Sequence, residues 1–520
     1  MKQKTHREAN GAFNQFVPTR IGGLETEVAL QVPRLTNEST TEYQARTVNL
    51  IKRFVALYKE NNDIKWSYRY PVELWKFDAE NRIVMNGSRL YSDHYYVEYS
   101  TAECEDPRTL IAVDRAGELI LADLLRLFHE TVNKKAVLLK NNLSFLSSMK
   151  PFTYSFSCHE DYSVSPHLFD AICNQNFSIQ SAIWLSYLAT RIILTGAGRV
   201  GPSLPHEFAP IYGRQAMMQL AEESNGSFEY LSARMKLLRR QIKDVSVDFG
   251  SIVPFEISAR SSSITCLRSH ETMEFRPLIN LRDEPHADPY FVKRLHVIVG
   301  DSNRAELSTY LKFGCAQLVL LFLETSIPEN PIILDNPLLA MKLISRDPTL
   351  QTSVPILKGG SMNAIQYQYW LCDEIEDTLN QQKLHLPAWG PAVLQEWRKS
   401  LDNLVTDPLM MRDKLDWVAK YALLKDHFPT GFESTNQTAM KLDLIYHKIG
   451  PDDYYTELVH AGKMIKIVND DMVNSFKTTP PHTRARRRME IIKEGSIKEA
   501  NWNYLVRKDG KEFWLQDPAN

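Results

Sequence analysis

The sequence predicts an α+β fold, because predicted strands are concentrated before about residue 300 and predicted helices follow them. The 520 residues are 43% hydrophobic and 24% charged, which is typical of globular chains and not of disordered ones. This length suits one large domain with a smaller one. We divide the chain into a flexible lead-in (1–18), a large domain (19–430) and a small C-terminal domain (431–520), with the boundary in the loop around Pro429 and Gly431.

The first predicted strand carries the most informative pattern. From Leu24 to Leu30, apolar and polar residues roughly alternate, as in a half-buried strand. Glu25 and Glu27 are two residues apart, so a strand projects both to one face. The remaining predicted elements are a helix at 42–58, a strand region at 89–99, a helix at 114–131, short strands at 138–139 and 152–157, a buried helix at 179–194, strands at 253–258, 263–267 and 294–299, and mainly helices from 305 to 425.

Charge and cysteine content exclude several classes of protein. Lysine and arginine number 61 against 63 aspartates and glutamates, a net charge of −2, whereas nucleic-acid-binding proteins usually show a basic excess. The best apolar candidate, 183–196, is interrupted by Arg191, and the N-terminus has no apolar signal stretch, so we expect no membrane span and no secretion. Six cysteines without a CxxC pair indicate free thiols and a cytoplasmic protein.

Carboxylates cluster on the predicted strands. Asp93, Glu98 and Glu103 lie in the strand region that follows the glutamate pair. On a half-buried face such groups repel one another when ionised, and bound divalent cations would neutralise them. Oxygen-only ligation suits Mg²⁺, which usually acts with substrate phosphates. The glutamate pair alone would fit a solvated strand face. The further charged and polar residues between 282 and 303, among them two histidines, favour a binding site.

Common phosphate-binding and nucleophile motifs are missing from the sequence. It contains no GxxxxGK[ST] and no GxSxG. The segment 196–201 has the spacing GxGxxG, but it follows a predicted helix instead of a strand. Cys158 and His159 are adjacent and would point to opposite faces of a strand, which disfavours a Cys–His dyad. These motifs therefore do not identify the function.

Motifs along most of the chain resemble the Pup ligase superfamily, which contains the Pup ligase and the Pup deamidase/depupylase. The longest and most specific are NLRDEPHAD at 280–288 and RLHVIVGDSN at 294–303. The others occur in the same order along the chain: GLETE (23–27), NGSRLY (86–91), EYSTAEC (98–104), DRAGE (114–118), KNN (140–142), CHE (158–160), LDNP (334–337), LDW (415–417) and LDL (442–444).

The resemblance implies a fold related to glutamine synthetase and other carboxylate–amine ligases. In that fold a curved antiparallel sheet with packed helices cradles ATP and Mg²⁺, and a small C-terminal domain closes over the nucleotide. The resemblance also implies a reaction at the C-terminal Glu or Gln of a small ubiquitin-like modifier, Pup or an analogue. The partners would be this modifier and its conjugated or target proteins, with no nucleic acid and no membrane.

The same resemblance assigns roles to individual residues. Glu25, Glu27 and Glu98 match metal-binding glutamates. Asp93 matches the essential aspartate, a base toward the incoming lysine in the ligase and a proposed nucleophile in the depupylase. We expect a bulge or turn at 94–97 that leaves Asp93 near the reacting amide and not on the metal. The residues expected to contact the nucleotide or its metals are Asn142, His159, Arg199, Arg294, Arg484 and Trp502.

Three activities remain open. We favour the deamidase/depupylase because Asp93 and Glu98 are five residues apart, as in that branch, whereas the ligase has one residue more. The alternative is a ligase that conjugates the modifier's C-terminal Glu to protein lysines through a glutamyl phosphate. A non-catalytic regulatory homologue is disfavoured because the predicted site residues are retained. The chain departs from the family at Tyr96 and Val97, where His-Pro is usual, and in the segment 203–248, which is longer.

Overall fold

The structure is a computed structural model that describes residues 20–68, 79–141, 156–174, 178–201, 253–270, 276–381, 383–433, 436–450 and 452–520. Three features singled out in the sequence fall wholly or mostly outside these residues. They are Asn142, the predicted strand at 152–157 and the long segment 203–248.

Strands and helices follow the predicted order. The strands are β1 (Gly22–Gln31), β2 (Lys65–Trp66), β3 (Asn81–Ile83), β4 (Arg89–Asp93), β5 (Tyr96–Ser100), β6 (Val137–Leu139), β7 (Cys158–Val164), β8 (Arg199–Val200), β9 (Phe255–Glu256), β10 (Cys266–Ser269), β11 (Pro277–Asn280), β12 (Lys293–Val297), β13 (Ser353–Pro355), β14 (Ser361–Asn363), β15 (Lys448–Ile449), β16 (Ile497–Ala500), β17 (Tyr504–Arg507) and β18 (Glu512–Trp514). The helices are α1 (Thr40–Val55), α2 (Pro107–Thr131), α3 (Pro166–Phe169), α4 (Ile179–Thr190), α5 (Ile192–Thr195), α6 (Glu306–Thr325), α7 (Pro337–Ser345), α8 (Ala364–Asn380), α9 (Gly390–Thr406), α10 (Asp416–His427), α11 (Gln437–Tyr446), α12 (Tyr454–His460), α13 (Asp470–Ser475) and α14 (Arg484–Lys493).

A ten-stranded sheet forms the centre of the fold. Its strand order is β10-β11-β12-β7-β1-β5-β4-β3, and in addition β6 pairs with β1 and β15 pairs with β6. All of these pairs are antiparallel except β10 with β11. The predicted α+β class with a mainly antiparallel central sheet is therefore confirmed.

The two faces of this sheet differ because side chains alternate along β1. Leu24, Val28 and Leu30 are at most 2% exposed and belong to the hydrophobic core on one face. Helix α2 packs on this face, and Gly117 permits the close approach, because a Cβ there would lie 2.3 Å from a ring carbon of Tyr99. The other face is polar and carries the glutamate pair.

Helix α6 crosses the large core and packs against α2, α5, α8 and α9. In the part of the chain that the structure describes, it is the one helix long and apolar enough to cross a membrane, and it is completely buried inside the protein. Core helices and membrane helices share this composition, so the finding is weak evidence for a membrane span.

Two strand predictions need correction. The region 89–99 is a hairpin of β4 and β5 and not one strand, because a tight turn at His94 and Tyr95 reverses the chain. Within the described residues, strand β7 begins only at Cys158, so the motif CHE lies on the strand itself and does not follow it.

Residues after the predicted boundary near 430 join two sheets. Strand β15 extends the central sheet through β6, while β16, β17 and β18 form a second sheet with β2. The second sheet and α14 enclose a core of their own, which includes Ile64, Ile83, Met489 and Leu505. The small C-terminal domain stays a prediction, and strands from both ends of the chain build its sheet.

Ion pairs with Glu103 hold helix α14 against the central sheet. Arg484 Nε donates to Glu103 Oε1 at 2.6 Å, and Arg488 Nη2 donates to Oε2 at 2.9 Å. Arg488 also donates to the carbonyl oxygens of Gly87 and Trp502. Burial alone raises the pKa of Glu103, but the two guanidinium groups hold it at about 2. Two of the four arginines between 484 and 488 are thus buried partners of this carboxylate.

We expect Glu103→Gln to lower the free energy of unfolding by about 3–5 kcal/mol, because it leaves two buried guanidinium groups without a countercharge.

The pKa of Glu103 is lower in the folded chain than its ordinary 4.5. Its ion pairs therefore stabilise the fold fully above that value, and the contribution is lost as the pH falls toward 2. Urea unfolding from pH 7 to pH 3 measures both effects. The exposed Glu490→Gln on the same helix is the control, and equal stability of the two variants would refute the role of Glu103.

Candidate active site on the polar face of the sheet

The polar face of the central sheet brings the predicted metal residues together. Residues that pair directly across neighbouring strands project to the same face. Glu25 on β1 pairs with His159 on β7, and Glu27 pairs with Glu98 on β5. These four side chains, which are far apart in the sequence, are therefore neighbours on one surface.

Asp93 joins the same face through the hairpin. The turn between β4 and β5 consists of His94 and Tyr95, and His94 has a φ of 45°, as two-residue hairpin turns require. Asp93 pairs with Tyr96, which lies two residues before Glu98. The predicted break in the strand is therefore present. The tight turn places Asp93 beside Glu98, and its position near the reacting amide and off the metal stays a prediction.

Glu27, Asp93 and Glu98 form a three-carboxylate cluster. One oxygen atom from each lies within 4.8 Å of the others. Asp93 Oδ1 and Glu98 Oε1 are buried and have no hydrogen-bond partner among the described residues. Glu27 accepts a hydrogen bond from the backbone N–H of Ser157. Buried, unpaired carboxylate oxygens at this spacing have the chemistry of an all-oxygen site for a divalent cation.

The electrostatics of the three-carboxylate cluster also indicate a cation site. Burial raises the pKa of Glu98 well above its ordinary value, and the charges of Asp93, Glu25 and Glu27 add to this effect. Burial also raises the pKa of Glu27, partly opposed by His159. The protein alone therefore does not supply enough positive charge for all three carboxylates, and a cation in the cluster would supply it.

A second group of possible ligands lies beside the first. His159 Nδ1 is 3.5 Å and His296 Nε2 is 3.6 Å from Glu25 Oε2. Burial and the nearby charge of Arg294 hold the pKa of His296 well below its usual value, so its ring is neutral and can ligate. Although burial opposes it, the hydrogen bond with His159 and the charge of Arg294 lower the pKa of Glu25. This group could hold a second cation.

A cavity opens beside Glu25 and offers about 90 Å³ to the centres of water-sized molecules. Arg294, Arg484 and Trp502, three of the residues predicted to contact a nucleotide, line it. Arg294 pairs with Asp161 at 3.1 Å and approaches Glu25 at 3.4 Å, so its charge is held at the edge between cavity and carboxylates. The cavity therefore combines cationic groups and an aromatic ring next to the candidate cation sites.

The structure does not bring Arg199 to this cavity. Its guanidinium donates to Ser262 Oγ at 2.6 Å and lies 3.5 Å from Glu256, and it is not among the cavity-lining residues. Its predicted contact with phosphate stays a prediction. Asn142 lies outside the described residues, while the preceding Asn141 is 3% exposed with neither amide atom hydrogen-bonded within them.

Sequence reasoning missed Arg260 as a site residue. It is 1% exposed, and burial together with Arg276 lowers its pKa to about 10, while the negative charge of Glu27 opposes this shift. The carboxylate of Asp301 fixes its loop by accepting the backbone N–H groups of Ala259 at 2.8 Å and Arg260 at 3.1 Å. No motif spacing marked Arg260. His296, in contrast, was recognisable from its place two residues after Arg294 on a predicted strand.

Taken together, the polar sheet face carries donors that could hold divalent cations beside an anionic ligand. The family described as Pup-ligase protein matches residues 20–506 of the chain. A depupylase of Acidothermus cellulolyticus is 28% identical, covering 94% of this chain and 90% of that protein. A Pup–protein ligase of Xylanimonas cellulosilytica is 31% identical, covering 85% and 86%.

Solved structures give the same result. The crystal structure of the complex between the prokaryotic ubiquitin-like protein Pup and its ligase PafA matches with a TM-score of 0.71 and 25% identity, covering 96% of this chain and 90% of that chain. A structure of PafA in complex with ADP matches with a TM-score of 0.66 and 25% identity, covering 94% and 93%. The chain belongs to the Pup-ligase family, whose relatives are enzymes, and the predicted family resemblance is confirmed.

Trp502 is expected to contact the base of a bound nucleotide. Its ring lines the cavity, with Trp66 edge-on at 5.4 Å and the guanidinium of Arg488 at 5.3 Å. An aromatic face offers a large contact area at low entropic cost. Trp502→Leu should weaken ATP binding by about 10-fold in calorimetry, on the order of the aromatic contribution to stacking. Trp514→Leu, outside the cavity, is the control. If Trp502→Leu bound ATP normally, Trp502 would be a packing residue of the second sheet.

Proposed function

We propose that this protein is an ATP- and Mg²⁺-dependent enzyme that acts on the C-terminal Gln or Glu of Pup or a similar small modifier. Its reaction would be deamidation of that Gln, hydrolysis of the isopeptide bond between modifier and lysine, or both. The observation that carries this proposal is the three-carboxylate cluster beside the cavity in a chain of the Pup-ligase family. The solved PafA complexes with Pup and with ADP support the choice of modifier and nucleotide.

The donor set fits the proposed cofactors residue by residue. Glu27 and Glu98 would hold Mg²⁺, and Glu25 with its histidine neighbours would hold a second cation. Arg294 and Arg484 would face the phosphates from the cavity wall. Bound Mg²⁺ and ATP would supply positive charge and a transferable phosphoryl group next to the carboxylates.

Asp93 would carry the chemistry. Its Oδ1 is buried without a hydrogen-bond partner among the described residues, so a lone pair is available toward a substrate. In a deamidase or isopeptidase the carboxylate would attack the side-chain amide or activate the attacking water. Arg260, whose loop is held by Asp301, would offset part of the negative charge of the cluster through its effect on Glu27.

Conjugation of the modifier to protein lysines is the second candidate activity. The match to the PafA–Pup complex and the 31% identity to a Pup–protein ligase favour it. In that reaction the modifier's C-terminal Glu would be activated as an acyl phosphate, and Asp93 would accept a proton from the attacking lysine. The five-residue spacing from Asp93 to Glu98, closed by a two-residue turn, is why we place hydrolysis first.

Three substrates distinguish these activities. The purified protein is incubated with ATP and Mg²⁺ and with Pup ending in Gln, Pup ending in Glu plus a lysine-rich acceptor protein, or a Pup conjugate of that acceptor. Intact-protein mass spectrometry then detects deamidation, conjugation or release. We expect deamidation and release. Conjugation alone would favour the ligase, and an unchanged mass in all three reactions would refute the proposed function.

A further inference from the structure

The hydroxyl of Tyr96 is an uncommitted hydrogen-bond donor at the three-carboxylate cluster. Tyr96 pairs with Asp93 across the hairpin and projects to the same face as Glu98. It is half-buried. No group in the described part of the chain hydrogen-bonds its hydroxyl, although the neighbouring Tyr91, Tyr99 and Tyr162 are engaged with carboxylates or with other side chains.

The ring of Tyr96 is firmly placed. It packs against Phe156 with a centroid distance of 4.8 Å, and Phe156 is completely buried. The next residue, Ser157, is hydrogen-bonded to Glu27 through both its backbone N–H and its carbonyl oxygen. The aromatic pair is therefore anchored to the same strand that carries a predicted metal ligand.

The charges around this ring define what its hydroxyl can bind. Burial raises the pKa of Tyr96, the negative charges of Glu27 and Asp93 add to this, and the positive charges of Arg276 and Arg260 oppose it. A phenol is protonated at neutral pH and can donate one hydrogen bond. With Glu27 and Glu98 engaged by a cation and Asp93 facing the substrate, an oxygen atom of the substrate would be the acceptor for this hydroxyl.

We propose that Tyr96 is a further catalytic residue, whose hydroxyl donates a hydrogen bond to the side-chain carbonyl oxygen of the modifier's C-terminal Gln or Glu. This inference rests on the proposed function and deepens it. That oxygen is common to deamidation, isopeptide hydrolysis and ligation, and negative charge develops on it when the carbonyl is attacked. A positioned donor stabilises such charge. The residue is also specific to this chain, because the resemblance places His at this position of the family.

Tyr96→Phe tests the inference, since it removes the hydroxyl and keeps the ring on Phe156. We expect kcat/KM for Pup ending in Gln to fall on the order of 100-fold, as for the loss of one oxyanion donor, with unchanged ATP affinity and melting temperature. Tyr96→His should retain more activity than Tyr96→Phe, because imidazole can also donate. Tyr95→Phe, the adjacent tyrosine that stacks on His94, is the matched control.

The outcomes distinguish the role of the Tyr96 hydroxyl from the proposed function of the protein. A Tyr96→Phe variant as active as the wild type would overturn the role of the hydroxyl and leave the proposed function standing. A Tyr96→Phe variant that lost ATP affinity or melting temperature along with activity would make Tyr96 a packing residue and overturn it too. A wild-type protein that binds ATP but never changes Pup would overturn the proposed function, and this inference with it.

Discussion

Asp93→Asn should lower the turnover of the modifier by about 100-fold or more. Asparagine is nearly isosteric with aspartate but is neither a base nor a nucleophile, so the reacting carboxylate is lost while the hairpin is kept. Glu27 and Glu98 remain to hold a cation, so ATP should still bind. Single-turnover deamidation followed by mass spectrometry gives the rate, and calorimetry gives the ATP affinity.

The matched control for this variant is Asp123→Asn on α2, whose side chain is 40% exposed and lies in surface ion pairs. It should behave as the wild type in both measurements. An Asp93→Asn enzyme that turned over the modifier at the wild-type rate would remove Asp93 from the chemistry. Loss of ATP binding without any other defect would instead make Asp93 a third metal ligand.

Glu98→Gln should weaken Mg²⁺-dependent ATP binding on the order of 100-fold. Mutating a group that only orients a metal ligand usually costs about 10- to 100-fold in metal affinity, and loss of a ligand itself should cost at least as much. The same change should raise the melting temperature of the metal-free protein. The ionised side chain is buried against Glu27 and Asp93, and its raised pKa means that its charge destabilises the fold above pH 4.5. Opposite effects on binding and stability are the signature of a ligand.

Glu324→Gln is the control for this prediction. Glu324 is buried, pairs with Arg20 at 2.8 Å and is not a member of the three-carboxylate cluster. Its loss should lower the melting temperature and leave Mg²⁺-dependent binding unchanged. If Glu98→Gln lowered the melting temperature as well, the cluster would be held together by protein contacts and would not need a cation.

The alternation along β1 was enough to predict the main features of the site. Glu25 and Glu27 share a face because the period of a strand is two, and this holds whatever the tertiary structure. The motifs placed Arg294, Arg484 and Trp502 at a nucleotide, and the structure gathers all three at one cavity. The local pattern therefore identified the residues whose position depends on strand geometry. The family motifs identified those whose position depends on the shared fold.

The rest could not be predicted because it depends on long-range contacts. Asp93 lies beside Glu98 because a two-residue turn, and not a bulge, joins the strands, and periodicity does not distinguish these. The loop that carries Arg260 is fixed by Asp301, which lies in another part of the chain. The burial of Arg488 depends on Glu103, 385 residues away. Such pairings leave no mark in a local sequence window.

The most direct test of the central claim is a crystal structure of the protein with ADP and Mn²⁺ as a stand-in for Mg²⁺. We predict an anomalous difference peak at Glu27 and Glu98, next to Asp93, with the phosphates of ADP facing Arg294 and Arg484 in the adjoining cavity. Nucleotide and Mn²⁺ bound elsewhere, with the three carboxylates free of metal, would contradict the assignment of this sheet face as the active site.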